Sequence, residues 1–362
     1  MKWKNTAMVS VGLAILLGGA ALFKELAPDR YGLPEIEVLA PGATGKRVAQ
    51  GELFGNNFPA QGLDAGPGPN PAVLLLGGSE GGLGGGAHQM ALALQKEGFA
   101  VFHLAYFGAP GQSDALEGVP LELFDKGLDW LKTHPDVDPA RVAVMGASKG
   151  AEAALLVASR RPDLTAVVAG MPTSVAWNGV NWASGGQSER ASWTANGKEV
   201  PTMPFGEWHQ ADGIISVYRT IEDPERQAAT ERAAIPIERA RAEVLLVCGE
   251  AETMWPACPM SRQVAARSTA RSGPPVTVLS YKDAGHFVFG PPIARNHRFY
   301  RRLGEYGGSV EGNAAARADS WPRVIAFLRR AMVDNRARRS DPGLHPVRDL
   351  RVMSASHPRP RH

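Results

Sequence analysis

Residues 141–161, RVAVMGASKGAEAALLVASRR, carry the most specific pattern in this chain. The stretch begins with an apolar run of strand length and ends with apolar residues at helical spacing. Between them lies the Gly-x-Ser-x-Gly pentapeptide Gly146-Ala147-Ser148-Lys149-Gly150. A strand, this pentapeptide and a helix together predict a nucleophile elbow, a strained turn that raises the serine hydroxyl above the carboxyl edge of a sheet. The alternative is an ordinary strand-to-helix turn whose serine only caps the helix.

Strand-like and helix-like segments alternate on either side of this elbow. Each main strand is an uninterrupted apolar run, which is typical of a parallel sheet covered by helices on both faces. The main predicted strands are 72–76, 100–107, 142–145, 165–169, 243–248 and 276–281, and the helices besides that of the elbow are 88–97, 120–134 and 321–333. Weaker strand candidates precede them at 36–39 and 47–53. We therefore predict an α/β-hydrolase fold over residues 26–333, with a mostly parallel central sheet.

The alternation stops after Met171 and resumes only at Glu243. The interval contains half of the tryptophans of the chain, namely Trp177, Trp182, Trp193 and Trp208. An aromatic-rich insertion after a sheet strand predicts a cap, at about 172–240, that covers the active-site edge and supplies an apolar pocket. The alternative is a surface excursion with a small core of its own.

A serine nucleophile needs a base and an acid, which in this fold follow it along the chain in loops after strands. His286 follows the predicted strand 276–281 in this way and is the predicted base. Two acids follow the strand 243–248, and we prefer Glu252 over Glu250 because it lies further into the loop. The predicted catalytic residues are therefore Ser148, Glu252 and His286.

The oxyanion hole of such a site uses the backbone N–H after the nucleophile, here that of Lys149. The second N–H is expected from the glycine-rich loop after strand 72–76. Gly78, Ser79 and Glu80 are the candidates, and Ser79 is the central choice.

The same loop also matches a dinucleotide-binding fingerprint, as Gly82-x-Gly84-x-x-Ala87. That fold needs an acid at the end of the next strand to bind a ribose, and Ala105-Tyr106-Phe107 supplies none. An NAD-dependent oxidoreductase is therefore the weaker hypothesis. No His-Glu-x-x-His or Walker motif is present, and we expect neither a metal nor a cofactor.

The composition is that of an ordinary globular protein, with 44% hydrophobic and 21% charged residues among 362. A net charge of +3 does not predict a nucleic-acid partner. The two cysteines, Cys248 and Cys258, are too few for a disulfide scaffold. We expect both to be free, with a bridge between them as the alternative.

The two ends of the chain differ from the rest. Lys2 and Lys4 precede an uncharged run from Thr6 to Phe23, so residues 1–25 are predicted to be a signal peptide or membrane anchor. The charges before the run favour export of the domain, to the periplasmic side in a bacterium, with a cytosol-facing anchored domain as the alternative. Residues 334–362 are rich in Arg and Pro and are predicted to be a disordered basic tail.

Several segments occur in an order that resembles one known family. They are GFAVFHLAYFG (98–108), LELFDKGLDWLKTHPDVD (121–138), VAVMGASKGAEAALLVAS (142–159), IPIERARAEVLLVCGEAETMWP (235–256) and YKDAGHFVFGPP (281–292). From about Pro71 to Pro292 the chain resembles the C-terminal α/β-hydrolase domain of the acyl-CoA thioester hydrolase and bile acid-CoA:amino acid N-acyltransferase family.

This resemblance implies a Ser or Cys nucleophile, an acid and a histidine that act on a thioester through an acyl-enzyme. Ser148, Glu252 and His286 fall at those positions, although the family usually has Asp where this chain has Glu252. Segment 26–70 is too short for the β-sandwich domain that precedes the hydrolase domain in larger members. The transferase members use Cys, so Ser148 favours transfer of the acyl group to water.

We therefore expect a serine hydrolase that cleaves an acyl thioester or ester of a small molecule. One alternative is an exported carboxylesterase, similar to dienelactone hydrolases, that does not use CoA. Another is a catalytically silent hydrolase fold that binds an acyl or peptide ligand at a membrane.

Overall fold

The computed structural model describes residues 36–334 except 63, 64, 66 and 67. The predicted signal or anchor segment 1–25 lies outside the described residues, as does nearly all of the predicted tail. No helix in the described part of the chain is long and apolar enough to cross a bilayer.

A central sheet of eight strands organises the described chain, in the order β1-β2-β4-β3-β6-β7-β10-β11. Its strands are β1 Lys46–Gln50, β2 Leu53–Phe58, β3 Asn70–Leu76, β4 Ala100–Ala105, β6 Val137–Ala147, β7 Ala166–Gly170, β10 Glu243–Gly249 and β11 Val276–Tyr281. Strand β2 pairs antiparallel with both β1 and β4, and every other pairing in this sheet is parallel. This is the predicted, mostly parallel arrangement.

Helices cover both faces of the sheet because its central strands are apolar on both sides. The helices are α1 Gly85–Lys96, α2 Leu121–Thr133, α3 Lys149–Arg160, α4 Ile215–Tyr218, α5 Gln227–Ala233, α6 Ala257–Ala270 and α7 Val310–Arg329. Leu74 and Leu76 of β3 pack in one core cluster with α2 and α3. Val73 and Leu75 of the same strand point the other way and pack with α1 and α7.

The insertion between β7 and β10 packs onto the sheet domain. It contains α4, α5 and the short strands β8 Trp193–Ala195 and β9 Lys198–Glu199, and β8 pairs with β5 Val119–Pro120 of the domain. Trp177 and Trp193 are fully buried, whereas Trp208 is 59% exposed. The ring of Trp193 lies 5.7 Å from Tyr106 and 5.8 Å from Phe124. The insertion therefore shares the core of the domain rather than forming a separate one.

Three sequence predictions were wrong in detail. The strand expected over 47–53 is interrupted by a turn at Gly51 and Glu52, which makes a β1–β2 hairpin. Segment 36–39 contributes only an isolated bridge between Val38 and Leu83. Helix α7 begins at Val310, because the side chain of Ser309 accepts a hydrogen bond from the N–H of Gly312 and so caps it.

Candidate active site

Ser148 occupies a sharp turn between β6 and α3, with φ 54° and ψ −121°. A Cβ on Gly146 would lie 2.0 Å from the carbonyl oxygen of Gly150, and one on Gly150 would lie 2.1 Å from that of Gly77. The two glycines are therefore required by close backbone approach. The Ser148 side chain makes no capping hydrogen bond to α3, which argues against the simple helix-cap alternative.

Glu252 and His286 form a buried pair at the same edge of the sheet. Oε1 of Glu252 lies 2.5 Å from Nδ1 of His286, and the two side chains are only 2% and 7% exposed. Burial raises the pKa of the Glu252 carboxyl, and the neighbouring imidazole opposes that rise. Glu250 is instead paired with Arg262 at 2.9 Å. The structure thus brings Glu252, and not Glu250, to the histidine.

The hydroxyl of Ser148 makes no hydrogen bond to His286 within the described part of the chain. Catalytic contacts between nucleophile and base are often longer in a ligand-free site than in the reacting complex. The catalytic roles of the three residues accordingly stay predictions.

A disulfide closes the segment that carries Glu252. Cys248 at the end of β10 is bonded to Cys258 in α6, with an S–S distance of 2.04 Å. The expectation of two free cysteines was therefore wrong. The two cysteines are 10 residues apart in apolar surroundings, which does not indicate a disulfide. Whether they pair depends on how the chain turns between the strand and the helix.

The loop after His286 is held by a residue that the sequence reading missed. The guanidinium of Arg317 in α7 donates to the carbonyl of Phe287 at 3.2 Å, to that of Pro291 at 3.0 Å and to that of Phe289. Burial lowers the pKa of Arg317 to about 10. Arg317 lies before residue 321, where the sequence predicts this helix to begin, so the sequence does not predict its contact with the loop after His286.

The glycine-rich loop after β3 passes beside the nucleophile. A Cβ on Gly78 would lie 3.3 Å from Cβ of Ser148. The Tyr106 hydroxyl shares its one proton between the carbonyl oxygens of Gly77, at 2.7 Å, and Gly78, at 3.1 Å. The indole Nε1 of Trp182 donates to the carbonyl of Ser79 at 2.7 Å. The predicted oxyanion loop thus lies next to the elbow, and its carbonyl groups accept hydrogen bonds from Tyr106 and Trp182.

Glu80, one of the oxyanion candidates, places its carboxylate against the same loop. Its Oε2 atom would lie 2.6 Å from a Cβ on Gly78. Burial raises the pKa of the Glu80 carboxyl, and the nearby His286 opposes that effect. A second carboxyl close to the predicted base was not foreseen from the sequence.

The side chain of Lys149 points inward, and its backbone N–H remains the predicted oxyanion donor. Nζ of Lys149 lies 2.9–3.0 Å from the two carboxylate oxygens of Glu152, and both side chains are buried. Burial lowers the pKa of Lys149 and raises that of Glu152. The Lys149 ammonium is therefore paired with Glu152 inside the protein.

Aromatic rings extend from the insertion between β7 and β10 to His286, the predicted base. The ring of Trp255 lies 6.2 Å from His286 and 5.4 Å from Tyr218. Tyr218 in turn lies 4.9 Å from Trp177 and 5.4 Å from Phe205. The packing beside His286 on this side is therefore aromatic, and Trp255, Tyr218 and Trp177 are all buried. No cluster of potential metal ligands occurs in the described ranges.

Comparisons with known proteins agree with this fold and family. The family model described as BAAT / Acyl-CoA thioester hydrolase C terminal matches residues 119–334. The chain is 29% identical over 302 residues to the bile acid-CoA:amino acid N-acyltransferase of Mus musculus, covering 82% of this chain and 67% of that protein. It is 26% identical over 307 residues to the mitochondrial acyl-coenzyme A thioesterase 2 of the same species, covering 82% of this chain and 62% of that protein.

Among solved structures, a puromycin-hydrolyzing peptidase of Mycobacterium tuberculosis aligns with a TM-score of 0.51 at 15% identity, covering 80% of this chain and 39% of that one. This likeness concerns the fold alone. The chain thus spans about two thirds or less of the length of these relatives. The predicted α/β-hydrolase fold is confirmed, and the prediction of a hydrolase is confirmed at the level of family and fold. With its family match over residues 119–334, the chain belongs to the BAAT / acyl-CoA thioester hydrolase family, of which it carries the C-terminal domain.

Proposed function

We propose that the chain is a serine hydrolase that cleaves an acyl thioester or ester through an acyl-enzyme on Ser148. The observation that carries this proposal is the buried contact between Glu252 and His286, at the sheet edge where the elbow presents Ser148. An acid paired to the Nδ1 side of the imidazole leaves Nε2 free to accept a proton from a hydroxyl.

The first half-reaction forms the acyl-enzyme. His286 Nε2 takes the proton of the Ser148 hydroxyl as Oγ bonds to the substrate carbonyl carbon. Glu252 holds the imidazole in the required tautomer and stabilises the imidazolium. The carbonyl oxygen becomes an oxyanion that accepts hydrogen bonds from the N–H groups of Lys149 and Ser79. The bond to the leaving group then breaks, and the imidazolium protonates the departing thiolate or alkoxide.

The second half-reaction regenerates the enzyme. His286 takes a proton from a water molecule whose oxygen attacks the acyl carbon, and the ester bond to Ser148 breaks as its oxygen is protonated again. The acyl group leaves as a carboxylic acid. A serine nucleophile suits this transfer to water, whereas the family resemblance associates cysteine with transfer to an amino acid.

Two features support an acyl substrate. The buried rings of Trp255, Tyr218 and Trp177 make the packing beside His286 apolar, which suits an acyl group. Relatives of the chain include proteins named acyl-coenzyme A thioesterases. We therefore take an acyl thioester as the first candidate substrate.

An exported location belongs to the same proposal. The disulfide between Cys248 and Cys258 is typical of oxidising compartments, and the charged and apolar pattern of residues 1–25 is typical of an export signal or anchor. Since CoA thioesters are cytosolic, the disulfide favours a second candidate, an exported carboxylesterase that does not use CoA.

A comparison of substrates separates these two candidates. The full-length chain would be assayed on octanoyl-CoA, by release of free thiol, and on octanoyl p-nitrophenyl ester, with Ser148→Ala as the control. A clear preference for the thioester in kcat/KM supports the thioesterase. Cleavage of the ester alone supports the exported esterase. No Ser148-dependent turnover of either substrate would contradict the proposed function and favour a silent binding fold.

A further inference from the structure

The cap makes hydrogen bonds to both backbone segments that supply the predicted oxyanion donors. On one side, the indole N–H of Trp182 donates to the carbonyl of Ser79 at 2.7 Å. Trp182 belongs to a short 3₁₀ turn, Trp182–Ser184, whose preceding residue Asn181 accepts a hydrogen bond from the N–H of Ala183. The indole is therefore presented by an ordered turn of the cap.

The Ser79 contact completes a set of bonds that fixes the orientation of this loop. A peptide unit is planar, so a bond to the carbonyl of Gly78 also sets the direction of the N–H of Ser79. The Tyr106 hydroxyl of the sheet domain lies 3.1 Å from that carbonyl oxygen and shares its one proton between it and the Gly77 carbonyl at 2.7 Å. Trp182 fixes the following peptide unit, so the backbone of Ser79 is held on both sides, once by the domain and once by the cap.

On the other side of the hole, the cap is bonded to the first turn of α3. The indole N–H of Trp193 donates to Oε1 of Glu152 at 2.6 Å, and the backbone N–H of Trp177 donates to the same oxygen at 3.1 Å. The ammonium of Lys149 contacts the carbonyls of Trp177 at 3.4 Å and Asn178 at 3.3 Å as well as Glu152. Two ionic groups from the elbow are thus enclosed by cap atoms.

This enclosure concerns catalysis because Lys149 is also the predicted donor that follows the nucleophile. Its side chain is 3% exposed and that of Glu152 is fully buried, so neither can exchange its cap contacts for water without opening the interface. The position of the Lys149 backbone is therefore tied to the position of the cap. Backbone donors stabilise an oxyanion only if they already point at it before the charge develops.

We propose that the cap positions both donors of the oxyanion hole, with Trp182 and Trp193 as positioning residues. The inference rests on the proposed function, since it takes Ser148 as the nucleophile and the N–H groups of Ser79 and Lys149 as the donors. Trp182 acts through the Ser79 carbonyl, and Trp193 acts through Glu152 and Lys149. Neither indole needs to touch the substrate.

The test replaces each indole by a ring that cannot donate. Trp182→Phe and Trp193→Phe are compared with Trp208→Phe, a matched control from the same insertion whose side chain is 59% exposed. Hydrolysis of octanoyl p-nitrophenyl ester gives kcat and KM. Inhibition by octyl trifluoromethyl ketone, which forms an anionic tetrahedral adduct on serine, reports the oxyanion hole directly.

We expect Trp182→Phe to lower kcat about tenfold or more while KM stays within about twofold, because loss of a whole oxyanion donor costs roughly 100- to 1000-fold. The affinity for the ketone should fall by the same factor as kcat/KM. Trp193→Phe should act in the same direction, and Trp208→Phe should match the wild type. A purely structural role would change the melting temperature without this parallel loss of ketone affinity.

Wild-type kcat and ketone affinity in Trp182→Phe would overturn the inference. Because Trp182 is only partly buried, this variant is the one that should fold normally. Ser148→Ala, measured in the same assay, distinguishes failure of the positioning role from failure of the proposed function. If Ser148→Ala is inactive and Trp182→Phe is unaffected, only the positioning role fails. If Ser148→Ala keeps wild-type turnover, the proposed function fails as well.

Discussion

Oε1 of Glu252 lies 2.5 Å from Nδ1 of His286 because the loops that carry the two residues are fixed to the same turn. Glu252 forms a bridge with Gly307, and the backbone N–H of His286 donates to the carbonyl of Tyr306 at 3.0 Å. A Cβ on Gly307 would lie 2.0 Å from the carbonyl of Ala251, so the packing admits only glycine there. Glu252 and His286 are thus positioned by backbone contacts.

Glu252→Gln should lower kcat by about four orders of magnitude, because an amide cannot stabilise the imidazolium and favours the wrong tautomer. Glu250→Gln is the matched control, since Glu250 lies in the same loop but is paired with Arg262. Steady-state hydrolysis of octanoyl p-nitrophenyl ester measures both. A larger loss in Glu250→Gln would reassign the acid.

Replacing both Cys248 and Cys258 by Ala should lower the free energy of unfolding by about 2–3 kcal/mol, because a disulfide restricts the unfolded chain. Activity should also fall, since the bridged segment carries Glu252. Urea unfolding of this variant and of the wild type, each with and without dithiothreitol, checks the effect. If dithiothreitol shifts the double variant as much as the wild type, the bridge is not the cause.

Arg317→Met should destabilise the protein by about 2–4 kcal/mol, because the carbonyls of Phe287, Phe289 and Pro291 would lose a charged donor inside the protein. Arg323→Met is the control, because Arg323 lies in the same helix with an exposed side chain. Thermal unfolding compares the two. Equal melting temperatures would show that the buried guanidinium does not hold the loop after His286.

His103 should make the protein sensitive to acid. Burial lowers its pKa to about 3, with smaller effects from the charges of His88 and Arg47, and both of its ring nitrogens are buried without a hydrogen-bond partner. An unfolded histidine has a pKa of about 6.5, so in this window the unfolded chain binds a proton that the folded chain does not. Stability is therefore fully present above pH 6.5 and is lost as the pH falls towards 3.

His103→Leu should flatten this dependence by roughly 1 kcal/mol per pH unit between about pH 6.5 and 3. His297→Leu serves as the control because His297 is exposed. Urea unfolding at a series of pH values gives the slopes. The same slope in His103→Leu and in the wild type would exclude His103 as the source.

Local sequence patterns predict the turn at the elbow and the loops that follow β10 and β11. The glycine spacing predicts the turn at Ser148, and because parallel strands end at one edge of a sheet, the strand pattern predicts that Glu252 and His286 lie there together. Glu252 and Glu250 lie in one loop, and only tertiary packing shows which of them meets His286.

Contacts between distant segments were not predictable in this way. The bond from Trp182 to Ser79 joins residues 103 positions apart, and the bond from Trp193 to Glu152 joins residues 41 apart. The inward direction of Lys149 depends on the same cap, which hydrophobic periodicity does not describe. The sequence predicts this helix only from residue 321, whereas α7 begins at Val310. The first half of α7, with Glu311, Arg317 and Asp319, lacks the continuous apolar stripe that would have marked it as helical.

The most direct measurement of the central claim is labelling of the full-length chain with a fluorophosphonate, followed by peptide mass spectrometry. A serine activated by His286 attacks the phosphorus and displaces fluoride, so the adduct should be found on Ser148. Labelling should be abolished in Ser148→Ala and strongly slowed in His286→Ala, whereas Glu250→Gln should be labelled like the wild type. An unlabelled Ser148 in the folded wild-type protein, or equal labelling in His286→Ala, would contradict the proposed serine hydrolase mechanism.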